Sequence, residues 1–336
     1  MASRKRSNKR TDSGVASQTG RAGRSAGALL GVVATILAVA LSLNTIGNLL
    51  TDRSQQRATY MQLLATVDQQ YAERKYDLAW IGIEKAAEQR EAQAWKLRGL
   101  PTLDDVHAKE ADVAAAWLRD IRLIGEDKTF TAIVERLEPA LQREAVQASG
   151  IRKADLIAHL GYADFLRTRD GDGHLDPATR YDEAIGIDSD NPFALAMLGH
   201  WRLWNGGSVA DSAKLFEQAL ATKREGAFVR RMQLSAFGNR REDDADFAFL
   251  RALNEMRVSG EPIDDASMSH ADGIYYFHGD PSGTDALLHA MPPSDHLALV
   301  RFLAQNENAV DKKRRYDHFA ALLEQASGDR PLARGE

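Results

Sequence analysis

Residues 157–184 read IAHLGYADFLRTRDGDGHLDPATRYDEA, and residues 195–219 read LAMLGHWRLWNGGSVADSAKLFEQA. Each stretch carries a Leu-Gly pair inside an apolar pattern of helical period: Leu160-Gly161, then Leu198-Gly199, 38 residues on. Between the pairs come Tyr181 and Ala184, followed by the turn Asp188-Ser189-Asp190-Asn191-Pro192. A glycine on a helix removes the Cβ that keeps a neighbour at distance, and an aromatic on the facing helix fills the space. The order large, small, turn, large therefore describes a helix hairpin that stacks on a copy of itself. One hairpin cannot bury its apolar face alone, so the stack must supply the core.

Outward from these stretches, apolar residues recur at three- and four-residue spacing through nearly every segment after residue 55, with few β-branched runs. The period is helical and the fold class is all-α. One or two helices are expected over 52–98, one from near Asp104 to about Gly125, and one over Thr129–Ser149, where Pro139 should kink or stop it. Further helices fall over 242–257 and near 264–277, 283–290, 295–305 and 309–326. Leu100-Pro101, Gly260-Glu261-Pro262, Gly279-Asp280-Pro281 and Met291-Pro292-Pro293 mark the breaks. A nonrepeating helical bundle is the alternative architecture to a solenoid.

The pattern resembles the tetratricopeptide repeat family, in which a Leu-Gly pair lies in the first helix. The second helix of that family carries a small residue, an aromatic four later and an Ala three after that. Ile157, Leu160, Gly161, Tyr181 and Ala184 fit one repeat, and Leu195, Leu198, Gly199, Ser212, Phe216 and Ala219 fit the next. Ala245, Phe249 and Ala252 repeat the second-helix signature, and Ala79, Ile83 and Ala86 reproduce it with Ile in the aromatic place. The family spacing is about 34 residues, so the first repeat holds an insertion, placed at Gly171–Leu175. Pro177 stands where a small Ala belongs, and Leu234-Ser235 is the nearest echo of Leu-Gly in the third hairpin.

The N-terminus carries a different signal. Residues 1–24 hold seven Lys or Arg against the single acid Asp12, while the whole chain is at −5, so the remainder is acidic. That tail, rich in Ser, Gly and Asn, is expected to stay disordered. Residues 25–50 contain no charge, and Ala26–Leu43 is about long enough to cross a bilayer core. A transmembrane signal anchor is the expectation, with residues 26–50 in the membrane. The basic flank would then be cytoplasmic and the C-terminal domain periplasmic or otherwise extracytoplasmic. A signal peptide cleaved after Ala38-Val39-Ala40, an organelle transit segment and a buried helix are the alternatives. The full organisation is then a tail over 1–24, an anchor over 25–50, a helical region with a degenerate repeat over 51–150, repeats over 151–258, C-terminal hairpins over 259–328 and a tail over 329–336.

The resemblance implies a groove lined by the first helix of each repeat. Carried over by position, Asp155, Tyr162 and Phe165 come from one repeat and His200, Leu203 and Trp204 from the next. Amphipathic aromatics at such positions anchor a peptide at low entropic cost. Packing in the core is the other use for Trp201 and Trp204, and a structural hydrogen bond the other use for His200. Separately, Asp170, Asp172 and Asp176 alternate with glycines in a loop able to wrap calcium. Aligned as an EF-hand loop, however, its last position is Thr179 and the bidentate Glu is missing. The alternative is a polar turn in which Asp176 caps the next helix and Pro177 opens it.

Nothing in the chain asks for a cofactor. It has no Cys, and His270, His278, His289 and His296 lack zinc-ligand spacing. No phosphate loop or nucleophile elbow appears. An acidic body argues against nucleic acid. The expectation is a non-enzymatic, membrane-anchored adaptor or scaffold that binds a protein or peptide in bacterial envelope assembly, secretion or complex maturation. A self-assembling homo-oligomer, a calcium-binding solenoid and an enzyme are the alternatives.

Overall fold

A computed structural model of the chain describes residues 53–121, 129–172, 175–278, 287, 291–307 and 309–328. These residues form thirteen α-helices and no strand. In order they are α1 (Arg53–Ala72), α2 (Tyr76–Ala92), α3 (Leu103–Asp120), α4 (Thr131–Gln147), α5 (Gly150–Arg169), α6 (Pro177–Ile187) and α7 (Pro192–Trp204). There follow α8 (Val209–Ala221), α9 (Gly226–Gly238), α10 (Asp243–Ser259), α11 (Asp265–Phe277), α12 (Pro293–Asn306) and α13 (Val310–Gly328).

The chain divides into two compact units, residues 1–62 with 94–100, and residues 63–93 with 101–336. In the first, the Arg57 guanidinium donates to the Arg98 carbonyl at 2.6 Å, and Lys96 lies over the exposed Trp95 ring. In the second, α3/α4, α5/α6, α7/α8 and α9/α10 pack as hairpins. The first helix of each lies against the first helix of the next: α3 on α5, α5 on α7, α7 on α9. The second helices α4, α6 and α8 each pack on the hairpin that follows. Such neighbour-to-neighbour packing is that of a helical solenoid. α12 and α13 form a further hairpin.

Local sequence sets the helix starts. Thr102 and Asp105 make a reciprocal capping box at α3. The side chains of Asn191, Ser208 and Asp264 accept from Ala194, Asp211 and Ser267 backbone N–H groups to open α7, α8 and α11. Each such cap contributes about 1 kcal/mol by satisfying an otherwise orphaned donor. Pro177 and Pro192 occupy first positions, where the missing N–H costs nothing. α3 ends at Asp120, earlier than its apolar period suggests, because Ile121 turns to extended backbone. Pro139 neither stops nor splits α4, which runs on to Gln147.

The hairpins are closed by glycine against aromatic. Gly161 abuts Tyr181, Gly199 abuts Phe216, and Gly238 abuts Phe249. All three aromatics are fully buried. The third pair falls at Gly238 and not at the Leu234-Ser235 echo, one helical turn along. α5 and α7, held between neighbours, are buried around their girth: every residue from Leu156 to Leu166, and from Pro192 to Trp201, is covered.

Among the described residues no helix is long and apolar enough to cross a membrane. Even the 20-residue helices α1 and α5 carry charged side chains along their length. This corrects the expectation of a single-pass protein with a cytoplasmic N-terminus and an extracytoplasmic C-terminal domain. The anchor expected over 25–50, the basic tail over 1–24 and the tail over 329–336 lie outside the described residues, as does the helix expected near 283–290 apart from Leu287.

Candidate functional site

The residues expected to line a groove are mostly interior. Tyr162, Phe165, His200 and Leu203 are buried, and only Trp204, 44% exposed, and the half-buried Asp155 meet solvent. Phe165 is the hub of an aromatic cluster between α5 and α7, edge-on to His200 at 5.0 Å and to Trp204 at 5.6 Å. Trp204 stacks on Trp201 at 5.3 Å. Tyr162, Phe165, His200 and Leu203 serve packing between helices. Burial holds His200 neutral, its pKa lowered to about 4.

The aspartate loop is likewise used by the fold. The Asp170 carboxylate accepts from the Phe130 N–H, from the Thr131 N–H at 2.9 Å and from the Thr131 hydroxyl at 3.1 Å, capping α4 from forty residues away. Asp176 accepts from the Ala178 N–H at 3.1 Å as the cap of α6. Asp172 adjoins residues 173–174, outside the described set. Among the described residues no three His, Asp or Glu side chains gather around a cation position.

Asp155 leads instead to a cleft of about 90 Å³ on the face made by α3, α5 and α7. Its carboxylate accepts from the Asn191 side-chain amide at 2.6 Å, with the Arg224 guanidinium 3.8 Å away. Burial raises its pKa, against the lowering effect of the Asn191 hydrogen bond and Arg224. Arg152 spans the floor, bonded to Glu144 at 2.9 Å, Asp112 at 3.0 Å and the Ala108 carbonyl at 3.2 Å.

His159 and Arg119 both line the cleft. His159 is 1% exposed, and its Nδ1 lies 2.5 Å from the Asp155 carbonyl. A carbonyl only accepts, so Nδ1 carries the proton and Nε2 is left as an acceptor. That Nε2 is buried and meets no partner among the described residues. Burial, with the Arg119 charge adding to it, pushes the His159 pKa down to about 3, so the ring is neutral. Arg119 itself lies over the Phe193 ring at 5.0 Å, and no carboxylate of the described residues forms an ion pair with it. The lining of the cleft thus holds a covered imidazole acceptor without a donor and a guanidinium without a carboxylate partner among the described residues.

Arg119 also borders a larger cavity of about 480 Å³ between α3, α5, α9 and α11. Arg74, Arg119 and Arg231 approach it from three separate segments, and Asp120 bridges Arg74 at 2.9 Å and Arg231 at 3.4 Å. Neither cavity is announced by a sequence motif. The only local sign is Ser235, the small residue of the Leu-Gly echo, which opens onto the larger one.

No protein-family model matches the chain, and no curated protein sequence matches it. Among solved structures it is similar to Nro1, described as the hypoxic regulator of sterol synthesis and a nuclear import adaptor. The alignment covers 84% of this chain and 91% of that one, at 12% identity and a TM-score of 0.33. A likeness of that degree carries no functional argument.

Proposed function

We propose that the chain is a non-enzymatic, protein-binding adaptor of tetratricopeptide-like build that takes an extended segment of a partner against α3, α5 and α7. The observation that carries this reading is the unsatisfied Nε2 of His159, a residue that lines the cleft together with Arg119. A buried acceptor without a donor costs about 1–3 kcal/mol, and a backbone N–H supplied by a partner recovers it. The Arg119 guanidinium then receives a carbonyl or carboxylate oxygen of the same segment. Neighbouring charges on Arg152 and Asp155 set the direction of the chain. The acidic body favours a protein over nucleic acid as partner.

The test is selection of a random peptide library on the full chain, followed by titration of the best binder into His159→Phe and Arg119→Gln variants. His159→Phe keeps the ring and removes the lone pair. It should weaken binding about tenfold while leaving folding stability equal or higher. A library from which nothing is enriched, or a binder indifferent to both substitutions, would sink the reading. Light scattering that rises with protein concentration in the absence of peptide would favour self-assembly instead.

A further inference from the structure

The larger cavity is a site of a different kind that shares Arg119 with the cleft, while its volume and its apolar lining are its own. Its volume falls in the range of small-molecule pockets, about 300–1,000 Å³. Phe228, Met232, Leu234, Met256, Pro262 and Ile263 make one wall apolar. Methionine is unbranched and polarisable, and two of them on one wall adapt to a flexible apolar body. The same cavity is lined by the three arginines, two of them sharing Asp120. Arg119 forms no ion pair among the described residues and is the guanidinium left to receive an anion. The acids on the rim are committed elsewhere. Asp264 caps α11, and Glu261 lies 4.0 Å from Arg230.

A second observation points to an occupant. Ser235 is one of the residues lining this cavity and is 7% exposed, and its hydroxyl oxygen, itself covered, meets no hydrogen-bond partner among the described residues. Buried polar groups are ordinarily paired, so an orphan hydroxyl on a lining residue leaves a hydrogen bond still to be made at the cavity wall. The two earlier hairpins set Gly161 and Gly199 against an aromatic ring, whereas in the third that contact falls at Gly238 with Phe249, and Ser235, one turn earlier, lines the cavity.

We propose that this cavity binds a small anionic amphiphile, with its apolar body against α9 and the Met232–Met256 wall and its anionic head on Arg119 within reach of Ser235. The head is a carboxylate or a phosphate, groups that a guanidinium receives alike. A neutral molecule of the same length lacks the charge-assisted contact.

Calorimetry on the full chain with dodecanoate and dodecyl phosphate below their micellar concentrations, and with dodecanol below its solubility limit, tests the assignment. One or both anions should bind, at least tenfold more tightly than the alcohol, and the stronger of the two names the head group. Arg119→Gln should weaken the anion tenfold or more and leave the alcohol unchanged. Met232→Trp, which fills the cavity, should abolish binding of all three while the peptide selected for the cleft still binds. Should that variant not fold, hydrogen exchange on the unaltered chain serves in its place, and residues 226–238 should gain protection with the anion. Absence of heat with every probe overturns the proposal. So does equal binding of anion and alcohol, binding indifferent to Met232→Trp, or protection that appears only away from α9.

Discussion

Gly161 on α5 and Tyr181 on α6 approach so closely that a Cβ at the glycine would stand 2.6 Å from the tyrosine ring. Tyr181 is wholly buried, so its ring does not border solvent. Gly161→Ala therefore gains about 1 kcal/mol of helix propensity but loses about 1–3 kcal/mol to overpacking, a net destabilisation. Gly199→Ala meets its neighbours at 3.3 Å and should fall near neutral. Gly186→Ala on α6 meets nothing and should stabilise by about 0.5–1 kcal/mol. Urea midpoints for the three variants check the order, and a stabilising Gly161→Ala would contradict the contact.

Phe165 and Trp204 touch at 5.6 Å yet stand in opposite environments, one buried and one 44% exposed. Phe165→Ala should cost about 3–5 kcal/mol as a core cavity. Trp204→Ala removes a partly wet ring and should cost well under half of that. Comparable losses would mean that Trp204 is covered in solution.

Four histidines give the molecule a defined response to acid. Burial lowers the pKa of His159 to about 3 and of His200 to about 4, and lowers those of His270 and His296 as well. Above the unfolded value of 6.5 both states are neutral and the histidines contribute no slope. Below it the unfolded chain binds protons that the folded chain refuses. Stability is therefore lost as pH falls, by up to about 1.4 kcal/mol per pH unit for each histidine. Urea midpoints taken from pH 7.5 down to 5 should decline, and His159→Phe should make the decline shallower. A flat profile would show that these rings take up protons in the folded state.

The Asp170 carboxylate serves the first turn of α4 and not its own helix. Asp170→Ala strips three hydrogen bonds at once and should destabilise by about 1–2 kcal/mol, with loss of protection concentrated at Phe130 and Thr131. Millimolar calcium should leave the melting temperature of the unaltered chain where it was. A calcium-dependent rise that Asp170→Ala removes would restore the metal reading of the loop.

The hairpin signals were readable because they are local. Leu160-Gly161 with Tyr181, and Leu198-Gly199 with Phe216, each lie within about two dozen residues and obey helical spacing. The third pair escaped because Gly238 sits at the last position of α9, a turn beyond the Leu234-Ser235 echo. Spacing could not show which face of α5 is wet, since α5 has no wet face over Leu156–Leu166. Hence Tyr162, Phe165, His200 and Leu203 read equally as groove or core, and packing on every side decided for core. The cavities were illegible for a further reason. Arg74, Arg119 and Arg231 come together only through tertiary packing, with no periodic trace in the chain.

A helix covered around its whole girth also fixes how this chain is free to drift. On α8, the buried positions Val209, Ser212, Leu215, Phe216 and Ala219 form a stripe, and the residues between them face solvent, where substitution is cheap. On α5 the same accounting leaves no cheap position between Leu156 and Leu166, because each side chain there answers to a neighbouring helix. Tolerance measured across the molecule would read as a stripe on α8 and as an unbroken block on α5. Distant kin of this chain are accordingly to be sought by the block, since the stripes are free to lose their resemblance first.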